Sequence, residues 1–150
     1  MAKKTEALLD PQRHLGFLLR RAQQRHLALW TQEVSNQVTG IQYSVLAVLD
    51  RLPEISQREL GDELDLERST INDLVIRLEK AGLIARTGDA RDARRKVLTI
   101  TPAGHDVLTE LQPRVTALQG VLSGSLSTAE VTALKQLVAQ LLGSDEHLNN

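Results

Sequence analysis

The sequence predicts a mainly α chain with one small β-hairpin, and three observations carry that reading. Along most of the chain apolar residues recur every three to four positions, the spacing of an amphipathic helix. The period switches towards two only around a short basic segment, as a pair of strands requires. Aromatic residues make up 2% of the chain, namely Phe17, Trp30 and Tyr43, so Leu, Val, Ile and Ala must fill the core, which suits helix-on-helix packing.

Six helices and the hairpin follow in order. From about Gln12 to Val34, Leu15, Leu18, Leu19, Ala22, His26 and Leu29 draw one stripe along a long helix. Thr39 with Gln42 three residues on forms a capping box that opens a second helix through Val45, Leu46, Val48, Leu49 and Leu52, closed by Pro53. Ser56 and Glu59 form another, starting a short helix that runs to about Leu64. After the connection Asp65-Leu66-Glu67, a helix from Arg68 to Ala81 puts Ile71, Leu74, Val75 and Leu78 on one face and stops at Gly82. Leu83 to Arg86 and Val97 to Ile100 read as strands flanking a charged loop. Thr101-Pro102 launches a long helix through Val107, Leu108, Leu111, Val115, Leu118 and Leu122, with a kink expected at Pro113. A capping box of Ser127 and Glu130 starts the last helix, carrying Val131, Leu134, Leu137, Val138, Leu141 and Leu142, ahead of a polar tail expected to fray from Ser144 to Asn150.

At 150 residues the chain fits a single domain, 1–150, large enough to bury roughly 68 to 70% of the surface its unfolded form exposes. It has no cysteine, which excludes zinc ribbons, thiol nucleophiles and thiol redox sensing. His14, His26, His105 and His147 lack metal-ligand spacing, and neither a phosphate-cradling loop nor Gly-x-Ser-x-Gly occurs, so no cofactor, metal or enzymatic activity is expected. The N-terminal apolar run Ala7-Leu8-Leu9 is too short for a signal peptide or membrane span, so the expected compartment is the cytoplasm.

The net charge of −1 conceals an uneven distribution. Between Arg86 and Lys96 the chain carries five basic residues and two acidic ones. A short helix, a tight turn, a longer helix and a basic hairpin, over residues 41–101, make a winged helix-turn-helix, whose second helix fits a DNA major groove about 12 Å wide. Opposite its apolar stripe that helix presents Ser69, Asn72, Asp73, Ile76 and Lys80, edged by Arg68 and Arg77. Asn can pair with adenine, Asp can accept from cytosine and Ile can touch a thymine methyl, while Ser69 and Thr70 sit where a helix N-terminus holds phosphate. On the wing, Arg91, Arg94, Arg95 and Lys96 suit a narrow minor groove of strong negative potential. The competing reading is a solvated helix face with an Asp73–Arg77 pair and an ordinary loop. The stripes over 12–36 and 102–142 are broad for one small monomer and would bury best against a second copy, which predicts a homodimer.

The chain resembles the MarR family of bacterial transcriptional regulators. The resemblance rests on Ser69-Thr-Ile-Asn-Asp-Leu-Val-Ile-Arg-Leu-Glu-Lys-Ala-Gly-Leu-Ile84, Asp89-Ala-Arg-Asp-Ala-Arg-Arg95 and Leu98-Thr-Ile-Thr-Pro-Ala-Gly104, in the order and spacing of recognition helix, wing and entry to the fifth helix. It implies double-stranded operator DNA as partner, with Arg94 of the wing reaching DNA and Asp92 orienting it. Asp73 and Ile76 depart from the family pattern, which bears on the operator sequence.

A second candidate site lies on the first helix. His14, Arg21 and Arg25 follow one edge of the stripe, with Phe17, Trp30 and Tyr43 on or near the same helical pair. These residues suit an apolar pocket with a cationic rim for an aromatic carboxylate or the phosphates of a larger conjugate. Core packing is the competing role for Trp30 and Tyr43. The resemblance implies small anionic or phenolic ligands, and the run Leu18-Leu-Arg-Arg-Ala-Gln-Gln24 is similar to the subgroup controlling aromatic-acid catabolism, including hydroxycinnamoyl-CoA responders. The expected function is therefore a ligand-responsive repressor released by a small aromatic acid or its CoA thioester. The alternatives are a ligand-independent DNA-binding regulator and a helical scaffold protein, in which the basic wing would have no use.

Overall fold

The computed structural model describes residues 10–143, so the apolar run at 7–9 and the tail at 144–150 lie outside the described residues. Among them are α1 (Leu15–Leu29), α2 (Gly40–Arg51), α3 (Gln57–Leu64), α4 (Arg68–Lys80), β1 (Ile84–Gly88), β2 (Lys96–Ile100), α5 (Pro102–Leu122) and α6 (Thr128–Leu142). All three capping boxes form. Thr39 Oγ1 accepts from the Gln42 amide at 3.3 Å while Gln42 Oε1 accepts from the Thr39 amide at 3.0 Å, and Ser56/Glu59 and Ser127/Glu130 repeat the exchange.

The first helix is not one uniform element. A 3₁₀ turn at Pro11–Arg13 precedes α1, and α1 passes into a π-helical turn at Trp30–Val34. The turn ends on the Val34 carbonyl, which accepts from Arg114 Nη1 of α5 at 3.1 Å. Helix α5 runs unbroken from Pro102 to Leu122 through Pro113. Towards the loop β1 extends two residues further and β2 one residue further than the apolar pattern alone suggests, pairing antiparallel from Ile84 with Ile100 to Gly88 with Lys96. Leu98 also donates its amide to the Ile55 carbonyl at 2.7 Å, so the α2–α3 connection lies along the free edge of β2.

Two apolar clusters hold the chain. The larger joins Val45, Leu46 and Leu49 of α2, Leu60 of α3, Ile71, Val75 and Leu78 of α4, and Ile84, Leu98 and Leu108, and so fixes the helix-turn-helix against the hairpin. The smaller joins Trp30 and Val34 to Leu111 and Leu118 of α5. Between α3 and α4 the turn is made by Asp65 with φ of 50°, a left-handed C-cap that Asp tolerates because its short side chain crowds the backbone little. Helix α6 contributes one buried residue, Ala139, and leaves Leu134, Leu137, Leu141 and Leu142 exposed.

Candidate nucleic-acid interface

Burying Ile71, Val75 and Leu78 turns the opposite face of α4 to solvent. Arg68, Ser69, Thr70, Asn72, Asp73, Ile76, Arg77 and Lys80 are all exposed there, as the sequence predicts. Among the described residues no ion pair joins Asp73 to Arg77, so this face is not closed by its own charges. Gln57, at the start of α3, reaches across to α4, where its Nε2 donates to Asn72 Oδ1 at 3.3 Å. An open cleft beside this contact is lined by Gln57, Glu67, Arg68, Ser69 and Asn72.

The wing is organised by a carboxylate that sequence reasoning overlooked. Asp89 has a side chain only 3% exposed, and it accepts from the Arg91 amide at 2.9 Å and from Arg95 Nη1 at 3.1 Å. The Arg91 backbone N–H, followed by the charges of Arg91 and Arg95, holds the Asp89 carboxyl below the usual carboxylate range. It stands one residue past β1 and two before Arg91, and nothing local in the sequence sets it apart from an ordinary loop acid. Asp92 accepts from the backbone amide of Arg94 at 3.0 Å, so the contact that orients this pair is made to the main chain. Arg91, Asp92, Arg94 and Lys96 are exposed at the tip.

Arg95 departs from expectation. It is half-buried, and besides Asp89 it binds the Glu59 carboxylate of α3 through Nη2. Its guanidinium is thus committed within the protein, and it braces the wing against the helix-turn-helix instead of facing solvent with its neighbours. Glu59 is held below the usual carboxylate range first by the Ser56 amide of the capping box and then by Arg95. Arg95 in turn is raised, first by its bond to Glu59.

The residues proposed for a ligand pocket separate into two groups. Trp30 is 6% exposed, donates its indole N–H to the Val38 carbonyl at 2.7 Å, and packs 5.7 Å from the Tyr43 ring and 6.2 Å from His26. Trp30 is therefore a core residue whose polar group is satisfied inside the chain. Tyr43 is half-buried on the same cluster, and burial raises its phenol. Phe17, Arg21 and Arg25 lie on α1 with His14 at its N-cap, and Arg20 rather than Arg21 stacks on Phe17, 5.2 Å from the ring centre. Arg21 and Arg25 line a shallow cleft with Ala22 and Gln24. Among the described residues no cluster of three or more His, Cys, Asp or Glu is placed to hold a metal, and no helix is long and apolar enough to cross a membrane.

A helix-turn-helix core, a basic hairpin braced beside it and an exposed polar face on the second helix define a winged-helix DNA-binding protein. Comparison with known proteins narrows the class. Residues 36–95 match the model of the MarR family. The chain is 31% identical to the HTH-type transcriptional repressor NicR of Pseudomonas putida, over 92% of this chain and 88% of that one. The PcaV transcriptional regulator of Streptomyces coelicolor, solved in complex with its natural ligand, superposes with a TM-score of 0.84 at 35% identity, covering 91% of this chain and 97% of that one. BpsR of Bordetella bronchiseptica, whose DNA binding is regulated by 6-hydroxynicotinic acid, superposes with a TM-score of 0.83 at 28% identity, covering 89% and 96%. The chain belongs to the MarR family, and it is a transcriptional regulator.

Proposed function

We propose that this regulator is a homodimeric repressor that binds a pseudo-palindromic operator and is released by a small aromatic acid or its CoA thioester. The observation that carries the DNA reading is the exposed face of α4, Ser69 to Arg77, standing beside a wing tip that offers Arg91 and Arg94 to solvent. In this reading α4 enters the major groove, Ser69 and Thr70 meet phosphate, and Arg94 enters the adjacent minor groove. Lys96 and Arg68 add charge at the edges. Two copies would place their α4 helices about 34 to 36 Å apart, one turn of DNA.

The dimer reading is supported by the leucines left on the surface: Leu15, Leu18, Leu19 and Leu27 of α1, and the exposed side of α6. The ligand reading is supported by the cationic edge of α1, Arg21 and Arg25 with His14, and by the likeness to BpsR, whose DNA binding is regulated by 6-hydroxynicotinic acid. A ligand held there acts by preferring a spacing of the two α4 helices that DNA cannot accept, and 1 to 3 kcal/mol of coupling is a typical size.

The test is fluorescence-anisotropy binding to DNA upstream of the coding region at several salt concentrations, with a panel of aromatic acids and their CoA thioesters. Salt-dependent binding relieved by one compound supports the full reading. Binding that no compound relieves leaves a ligand-independent regulator, and absence of specific binding returns the scaffold alternative.

A further inference from the structure

We propose that Ile76 reads the 5-methyl group of a thymine, which makes it a specificity-determining residue of the operator contact. This rests on the reading that α4 lies in the major groove. Burial of Ile71, Val75 and Leu78 turns Ile76 to the opposite side of α4, where it is 50% exposed. Among the described residues from 42 to 120 no other large apolar side chain is exposed. The rest gather on α1 and α6, at the start of α2, and at or just past the end of α5. Ile76 thus stands apart from the two leucine-rich surfaces that the proposed dimer would cover, and no apolar neighbour on its own face shields it.

Its place within the polar face decides what it can meet. Asn72 and Asp73 lie one turn before it and Lys80 one turn after, all exposed, so Ile76 occupies the middle of the stripe turned to the base edges. Isoleucine offers neither donor nor acceptor. Against a phosphate, a carbonyl or an amino group it displaces water and returns no hydrogen bond, which costs affinity. The thymine methyl is the single apolar group that the four bases project into the major groove. Set against it, Ile76 buries two apolar surfaces; set against another base, it leaves polar groups dry. Attraction to thymine and a penalty on its competitors therefore come from one side chain. Four residues of helix rise about 6 Å, nearly two base-pair steps of about 3.4 Å, so the thymine lies one or two base pairs from the pair that Asn72 meets.

The experiment selects operators from a random double-stranded DNA pool with the wild-type protein, then replaces each thymine singly by deoxyuridine, which keeps the pairing groups and removes only the methyl. The expected result is that at one thymine of each half-site deoxyuridine weakens wild-type binding about fourfold, the effect of losing one buried methyl-sized group. The salt slope should not change there, because no phosphate contact is lost. Ile76→Ala should bind the thymine and deoxyuridine duplexes equally, and Ile76→Val should keep the discrimination. Both variants alter an exposed position, so their melting temperatures should stay close to wild type. A wild type indifferent to deoxyuridine at every thymine, or discrimination that persists in Ile76→Ala, overturns the proposal. Asn72→Ala separates that failure from a wider one. If it changes the base preference of the selected operators, α4 still reads the groove and only the role of Ile76 is lost; if it and Ile76→Ala both keep every preference, α4 does not lie in the groove at all.

Discussion

Arg95 joins Asp89 of the wing to Glu59 of α3, and so ties the hairpin to the helix-turn-helix. Its neighbour Arg94 faces solvent. Adjacent arginines in one basic run therefore have different work, and salt dependence separates them. Arg94→Ala should lower operator affinity and reduce the slope of log K against log salt by about 1 per protomer, as loss of a phosphate-type contact does. Arg95→Ala should lower affinity about as much through a loosened wing while leaving the slope close to wild type. Equal slope changes in the two variants would mean that Arg95 also meets DNA.

The entry to α5 admits no side chain at Gly104. A Cβ there would lie 2.0 Å from the Leu83 carbonyl oxygen and 2.9 Å from Ile100 Cγ1, and the first of these is backbone that cannot rotate away. The approach is tight because Thr101 Oγ1 donates to the Gly82 carbonyl at 2.6 Å and accepts from the Gly104 amide at 3.1 Å, drawing the helix start onto the end of α4. Gly104→Ala should destabilise the protein by about 1 to 3 kcal/mol or more in thermal or denaturant unfolding. Gly120→Ala, on the same helix with open space around it, should be neutral or stabilising by about 0.5 to 1 kcal/mol. Similar losses for both would show that helix geometry, not the Leu83 contact, sets the cost.

Helices were legible wherever the signal is local. Thr39, Ser56 and Ser127 each announce a helix start through a partner three residues on, and each makes the bonds that spacing implies. The exposed face of α4 followed from the same periodicity that buries Ile71 and Val75. What escaped depends on partners far along the chain. Nothing near Arg95 reveals that Glu59 will neutralise it, and nothing near Asn72 reveals Gln57. Trp30 shares this origin: its indole meets Val38 and Tyr43 only because the chain winds a π turn before α2, a local rearrangement that an apolar stripe cannot encode.

Acid should weaken the wing brace. Glu59 and Asp89 both hold pKa values lowered from their ordinary 4.5 and 3.8, so the folded state favours their charged forms. A lowered carboxylate contributes stability that is complete above its unfolded pKa and is lost as pH falls through its folded value. The loss therefore begins below about pH 4.5 and is absent at neutral pH. Melting temperature followed from pH 7 to pH 3 should fall on the acid limb, and a Glu59→Gln/Asp89→Asn protein should start lower but fall less steeply. Parallel acid limbs in the two proteins would assign the acid sensitivity to other carboxylates, Glu130 in its capping box among them.

Helix α6 has an apolar face that the rest of its own chain does not cover. Leu134, Leu137, Leu141 and Leu142 are 50%, 63%, 53% and 72% exposed, while the helix buries only Ala139. Full burial of such a side chain is worth about 1.5 to 3 kcal/mol, so several leucines from each of two copies outweigh a substantial ordering cost. Leu15 and Leu18 of α1 extend the same kind of surface. Sedimentation velocity at micromolar concentration should therefore give twice the chain mass for the wild type, and the single-chain mass for Leu137→Glu/Leu141→Glu. Because each α4 would then bind its half-site alone, operator affinity should fall by at least tenfold while circular dichroism keeps the wild-type helix signal. A double variant that remains dimeric would place the interface elsewhere, and a wild type of single-chain mass would remove the two-fold operator from the proposed function.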